Sequence, residues 1–173
     1  MSNHSQILDN IINKKKSDLE KLDQYIKNNQ HLLLSKTDTH PHKFKNAISQ
    51  NKLSLIAEVK KASPSKGLIY DKFDPTQIAS FFHQKKASAL SVLTEEHYFL
   101  GKPRYLKEIK EVVNLPILRK DFIIHPNQIY ESKLMGADAI LLIKAILPNK
   151  DEIQKMLNIA YKQHLDVILE IHD

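Results

Sequence analysis

Residues 55–67 read LIAEVKKASPSKG, which places a glutamate and a lysine two apart at the end of an apolar run. Successive side chains of a β-strand point to opposite faces, so Glu58 and Lys60 share one face while Ala57 and Val59 share the other. Lys120 and Glu170 also stand at or near the ends of apolar runs, at 116–118 and 167–171. Gathered together, these four residues would put two carboxylates and two ammonium groups around one cavity. A nearby cation favours an ionised carboxylate, while burial and like charges push the other way. Acid–base chemistry on a phosphorylated or carboxylated substrate needs a set of this kind. Ordinary ion pairs at the ends of a sheet are the other reading of the same spacing.

The elements that must position these groups are legible from residue 55 onward. Short apolar runs at 55–59, 89–93, 116–118, 139–143 and 167–171 alternate with amphipathic, helix-length segments. Start signals precede those segments: Asp74 and Pro75, Pro103, Pro126 and Asn149. Gly136 follows the third as a C-terminal stop. The runs recur at the interval of a βα unit, and five such units imply a parallel sheet with helices packed outside it. Doubly wound sheets and (β/α)8 barrels share this alternation. In four of the five runs the C-terminal end carries charged or polar residues: Glu58 with Lys60, Thr94 with Glu95, Lys120 with Asp121, and Glu170. A barrel gathers its chemistry at that end from several strands, so the pattern favours a barrel.

Ahead of these units, Ile7, Leu8, Ile11, Ile12, Leu19, Leu22 and Ile26 fall at helical spacing and predict an amphipathic helix of about five or six turns. The polar and Pro-containing stretch at 28–43 reads as a connector. The chain therefore divides into an N-terminal helical extension with its connector, residues 1–45, and a barrel segment, residues 46–173.

The net charge of +6 is spread over the chain, with one short cluster at Lys14, Lys15 and Lys16 that reads as a solvated helix face. There is no aromatic-interleaved basic patch to engage nucleic acid, although a site for a small anion agrees with the charge. No run of 18 apolar residues suggests a membrane span. The first residues lack the apolar core of a secretory signal, which fits a cytoplasmic protein. Cysteine is absent, so neither a disulfide framework nor a thiolate metal site is expected. His40 and His42 flank Pro41, but no third metal ligand is suggested, and a surface loop explains them.

The blocks LIAEVKKASPSKG, FDPTQIA, ALSVLTEEHYFLG, PILRKDFIIHPNQIYESKLMGADAILLIKAIL and VILEIHD occur in this order along the chain. In that order and spacing they resemble the indole-3-glycerol phosphate synthases of tryptophan biosynthesis. The resemblance implies a (β/α)8 barrel whose extra N-terminal helical segment lies across the active-site mouth. It also implies conversion of 1-(2-carboxyphenylamino)-1-deoxyribulose 5-phosphate to indole-3-glycerol phosphate, with loss of carbon dioxide and water and without a metal or organic cofactor. By position, Lys120 matches the family's general acid, and Glu170 matches the carboxylate that handles protons in the later dehydration. Glu58 matches a second catalytic carboxylate, and Lys60 matches the lysine that contacts the substrate carboxylate. Ser63 matches a position near the substrate phosphate, where loop amides could also serve. Phe99, Phe122 and Leu141 match apolar positions around the anthranilate ring, for which plain core packing is the alternative.

This sequence departs from the family pattern at His97, where lysine is usual, and at Lys102 and Pro103, which replace a serine-containing stretch. An eight-unit barrel takes roughly 200 or more residues, and this chain has 173. The expectation is thus an incomplete barrel of about five βα units, with the family's later catalytic residues and Gly-rich phosphate turns beyond the sequence. Such a chain by itself should be inactive or very weak, because groups that act as a unit fail together. The open edge carrying VILEI would invite self-association. A non-catalytic partial barrel that associates through its sheet edges is the alternative function.

Overall fold

In the computed structural model, described over residues 3–35, 42–50, 52–147 and 149–171, the chain opens with the helix α1 (Asn3–Ser35). At 33 residues it makes about nine turns, longer than the periodicity predicts. Residues 28–35, expected to be connector, continue it. No glycine or proline interrupts the chain before Pro41, and side-chain bonds such as Gln24 Nε2 to Asn28 Oδ1 (2.9 Å) bridge successive turns. Ile11 and Ile26 are buried, and the helix packs against α5.

A short helix, α2 (Lys43–Ser49), was not foreseen. It is followed by β1 (Ile56–Val59), the small antiparallel hairpin β2 (Ala62–Ser63) and β3 (Gly67–Leu68), and then α3 (Pro75–Gln84). The succession continues with β4 (Ala89–Leu93), α4 (Arg104–Val112), β5 (Ile117–Lys120), α5 (Pro126–Leu134), β6 (Ala139–Ile143), α6 (Lys150–Lys162) and β7 (Asp166–Glu170). The start signals act as expected. Asp74 Oδ1 accepts from Thr76 N (2.9 Å) and Gln77 N (3.1 Å), and Asn149 Oδ1 accepts from Asp151 N (2.8 Å). Gly136 takes φ 88° just beyond α5, a left-handed conformation that glycine adopts without strain.

The five long strands form one parallel sheet in the order β1-β4-β5-β6-β7. Order in space follows order in the chain, whereas a doubly wound sheet reverses at a switch point. The winding is therefore that of a barrel wall. Strand parity separates two packed layers. Val59, Leu90, Val92, Ile117, Ile140 and Leu142 face outward and pack with Leu106, Ile109, Ile129, Met156 and Ala160 of the helices. Each such side chain, fully buried, contributes roughly 1.5–3 kcal/mol. The opposite face carries Ala89, Leu118, Ala139, Leu141 and Ile143, which pack with Phe44 of α2. Because Ala89 and Ala139 are the first residues of their strands, Phe44 closes the inner face at its N-terminal end. The opposite end of that face is left for the charged residues.

Candidate active site

Glu58 is the third residue of β1, and its neighbours Ala57 and Val59 turn outward into the helix layer. Its carboxylate therefore faces inward. Lys120, the last residue of β5, follows the inward Leu118 by two and reaches across β4: its Nζ lies 2.7 Å from Glu58 Oε2. Lys60 pairs with the other oxygen, Oε1. One carboxylate thus bridges two ammonium groups, which leaves the cluster a net positive charge and keeps all three side chains half-exposed. Burial by itself would raise the Glu58 pKa. Hydrogen bonds and charges from Lys120 and Lys60 outweigh it and hold the group below the usual carboxylate value.

Glu170 ends β7 in register with Ile143 of β6, and Ile168 pairs with Leu141. Since Leu141 and Ile143 belong to the inner layer, Glu170 stands on the same face and at the same end of the sheet as Lys120, two strands along. An array of this kind can hold an anionic group against two cations while presenting a proton donor and, across the face, a carboxylate.

The apolar candidates line the same region. Phe122 packs on the inner layer that contains the buried Leu141, and its ring centroid lies 6.3 Å from that of Phe99. The loop bearing Phe99 is shaped by Glu95, which is fully buried and accepts from the amides of His97 (2.9 Å), Tyr98 (2.7 Å) and Phe99 (2.9 Å). Gly101 lets this loop return against the sheet: a Cβ there would sit 2.3 Å from the carbonyl oxygen of Leu93. Phe99 O accepts from Ala62 N (3.2 Å), which ties the loop to the hairpin containing Ser63. Ser63 is buried, and its Oγ accepts from Lys66 N (3.2 Å).

One expectation, that Lys15 lies on a solvated helix face, is corrected by what surrounds Asp121. Asp121, grouped with Lys120 at the strand end, turns away from it. Oδ2 accepts from Thr94 Oγ1 (2.7 Å) and pairs with Arg119 (3.0 Å), while Oδ1 pairs with Lys15 of α1 (2.6 Å). Lys15, expected on a solvated face, is nearly buried in that ion pair. Arg119 was not singled out, although its parity with the outward Ile117 in a strand of apolar residues was a signal that it enters the helix layer. It is wholly buried and also pairs with Glu131 (2.7 Å). Burial raises the Asp121 pKa, but the charges of Lys15 and Arg119 and the hydrogen bonds prevail and bring it to about 2. For Arg119, burial lowers the pKa, and Glu131 and Asp121 more than offset this and raise it.

Through Lys15, and through Asp18 facing His97 at 3.4 Å, α1 meets the C-terminal rim of β4 and β5 from the α5 side. A cavity of about 350 Å³ between α1 and α5 is lined by Leu22, Tyr25, Arg119 and Glu131 among others, and by none of the four inner charged candidates. His42 bonds through Nδ1 to Asp166 Oδ1 (2.7 Å) at the start of β7, and His40 lies outside the described residues. No group of three or more metal-ligating side chains occurs among the described residues.

The family model for indole-3-glycerol phosphate synthase matches residues 8–173. The chain belongs to that family. A synthase of this name from Caldanaerobacter subterraneus subsp. tengcongensis is 41% identical over 167 residues, covering 96% of this chain and 64% of the relative. One from Carboxydothermus hydrogenoformans is 49% identical over 124 residues, covering 72% and 47%. One from Clostridium kluyveri is 44% identical over 169 residues, covering 96% and 64%. The chain thus spans less than two thirds of the length of these relatives. Indole-3-glycerol phosphate synthases are TIM barrels, and the unreversed strand order and outer helix layer of this chain fit that architecture. No helix among the described residues is long and apolar enough to cross a membrane.

Proposed function

We propose that this chain serves the decarboxylating ring closure that names its family, turning 1-(2-carboxyphenylamino)-1-deoxyribulose 5-phosphate into indole-3-glycerol phosphate. The observation that carries the reading is the Lys60–Glu58–Lys120 cluster at the C-terminal end of an inner face bordered by Phe99, Phe122 and Leu141. In this reading the aromatic side chains hold the anthranilate ring, and Lys60 meets its carboxylate. As the ring carbon attacks the ribulose carbonyl, electron density moves onto the carbonyl oxygen. The Lys120 ammonium donates its proton there, and a donor fixed in advance favours that step most where water is excluded. Glu58 holds both lysines in place. Loss of carbon dioxide restores the neutral ring system, and Glu170 handles the proton that accompanies departure of water. Ser63 and neighbouring amides face the phosphate. The reaction as proposed uses no cofactor, and the enzyme works in the cytoplasm.

Residues 1–45 act in this proposal as the extension and 46–173 as the barrel segment. The test is formation of indole-3-glycerol phosphate, followed by its fluorescence, with the chain alone and with a polypeptide supplying further βα units. Turnover in either arm that requires Lys120 supports the reading.

A second reading has its own observation. The sheet edges β1 and β7 expose Leu55, Ile56, Leu169 and Ile171, and unpaired apolar strand edges favour association. A chain that forms concentration-dependent oligomers and shows no turnover in either arm supports a non-catalytic, edge-pairing role.

A further inference from the structure

The ion network beneath Lys120 lies outside the site just described, yet its members flank that residue in the chain and bond its carbonyl. Lys120 O accepts from Thr94 N (3.1 Å). The preceding side chain, Arg119, donates through Nε to Thr94 Oγ1 (3.0 Å) and pairs with Asp121 and Glu131. The following side chain, Asp121, accepts from Phe122 N (2.8 Å), from Thr94 Oγ1 (2.7 Å) and from Lys15 of α1 (2.6 Å). Two cations, Lys15 and Arg119, balance two carboxylates, Asp121 and Glu131, and the balance needs a residue that lies more than a hundred positions earlier in the chain.

We propose that Lys15 and Asp121 are positioning residues for Lys120, with α1 setting the direction of the Lys120 ammonium and the seat of the Phe122 ring through their buried ion pair. The geometry gives the reason. Lys120 has a long, flexible stem, and among the described residues its tip is held by Glu58. Where the ammonium rests is therefore governed by the backbone direction at 119–121, and Asp121 fixes that turn through the Phe122 amide and the side chains of Thr94, Arg119 and Lys15. Removing Lys15 leaves Arg119 to serve both carboxylates, the fully buried Asp121 and the partly exposed Glu131, and a buried carboxylate that loses a partner cation is strongly destabilised. Arg119 and Thr94 would move, and the turn between Lys120 and Phe122 with them. A displacement of about 1 Å at a reacting group can lower turnover by as much as about 100-fold.

The inference rests on the functional reading above only for its effect on turnover, so its test includes a measurement independent of activity. In the full chain labelled at lysine 13Cε, the Lys120 resonance is assigned by Lys120→Arg and followed in Lys15→Met, Lys15→Arg and Asp121→Asn. The expected result is a displaced or divided Lys120 resonance in Lys15→Met and Asp121→Asn, with Lys15→Arg close to wild type. Where turnover is measurable, kcat should fall about 10- to 100-fold in Lys15→Met while KM changes little. The double variant Lys15→Met with Asp121→Asn should lose no more than Asp121→Asn does, because both changes break the same pair. Displaced resonances with no turnover by the wild-type chain in either arm of the assay above would keep the positioning role and refute the proposed activity. An unmoved Lys120 resonance in folded Lys15→Met would overturn the inference, as would losses in kcat that simply add in the double variant. Should Asp121→Asn fail to fold, the two Lys15 variants decide the question.

Discussion

Acidification should erase a defined part of the stability difference between the wild-type chain and Asp121→Asn. Asp121 is fully buried, and its pKa falls from an ordinary 3.8 to about 2 in the folded chain, where Lys15, Arg119 and Thr94 favour the ionised form against the opposing effect of burial. A depressed folded-state pKa contributes stability that is complete above the unfolded value, near 4, and is lost as the pH falls towards the folded value. The gap between the two values corresponds to about 2 kcal/mol, most of which should disappear between pH 6 and pH 2.5. Urea denaturation of both proteins at several pH values measures this, because carboxylates remote from the Arg119 network are common to both and drop out of the comparison. The stability difference should be largest at pH 5–6 and shrink steadily below pH 4. A difference that stays constant from pH 6 to pH 2.5 would refute the reasoning, since Asp121 would then have no shifted pKa and the buried ion pairs would not form as described.

Three further outcomes follow from the packing and the inner cluster. Gly101→Ala should destabilise the chain by at least about 1–3 kcal/mol, read as a lower urea midpoint, because the added methyl meets the Leu93 carbonyl oxygen rather than a side chain that can swing aside. Phe44→Ala should cost about 3–5 kcal/mol in the same assay if this ring closes the inner face as described; a loss below about 1 kcal/mol would show that α2 is not seated there. Glu58→Gln should lower kcat by about 10²- to 10⁴-fold while circular dichroism stays unchanged, because Lys120 and Lys60 lose the carboxylate that holds them together.

Much of the geometry of the candidate cluster was legible because strand parity is a strong rule. Glu58 and Lys60 were placed on one face by counting, and they meet on that face. Lys120 joins them because β5 ends on the parity of Leu118. The same rule applied to Arg119 would have sent it outward, but an arginine in an apolar strand has no visible partner until the fold brings α1 and α5 beside it. Lys15 was hidden for a related reason: three consecutive lysines look alike in sequence, and only one of them faces the strand end. The length of α1 was underestimated because Asn, Gln and His weaken helical periodicity without breaking a helix. The role of Phe44 needed the sheet, since a lone aromatic in a short helix has no pattern of its own. The strand order, which separates a barrel wall from a doubly wound sheet, became visible only once pairing was known.

Replacing Lys120 by Met tests the central claim most directly. The ammonium bonded to Glu58 on the inner face is proposed to be the proton donor of the ring closure, so turnover to indole-3-glycerol phosphate by the chain, alone or together with a polypeptide of further βα units, should fall by about 10²- to 10⁴-fold with the fold intact. Turnover that survives Lys120→Met within a few-fold, or that never occurs with the wild-type chain in either setting, would contradict it.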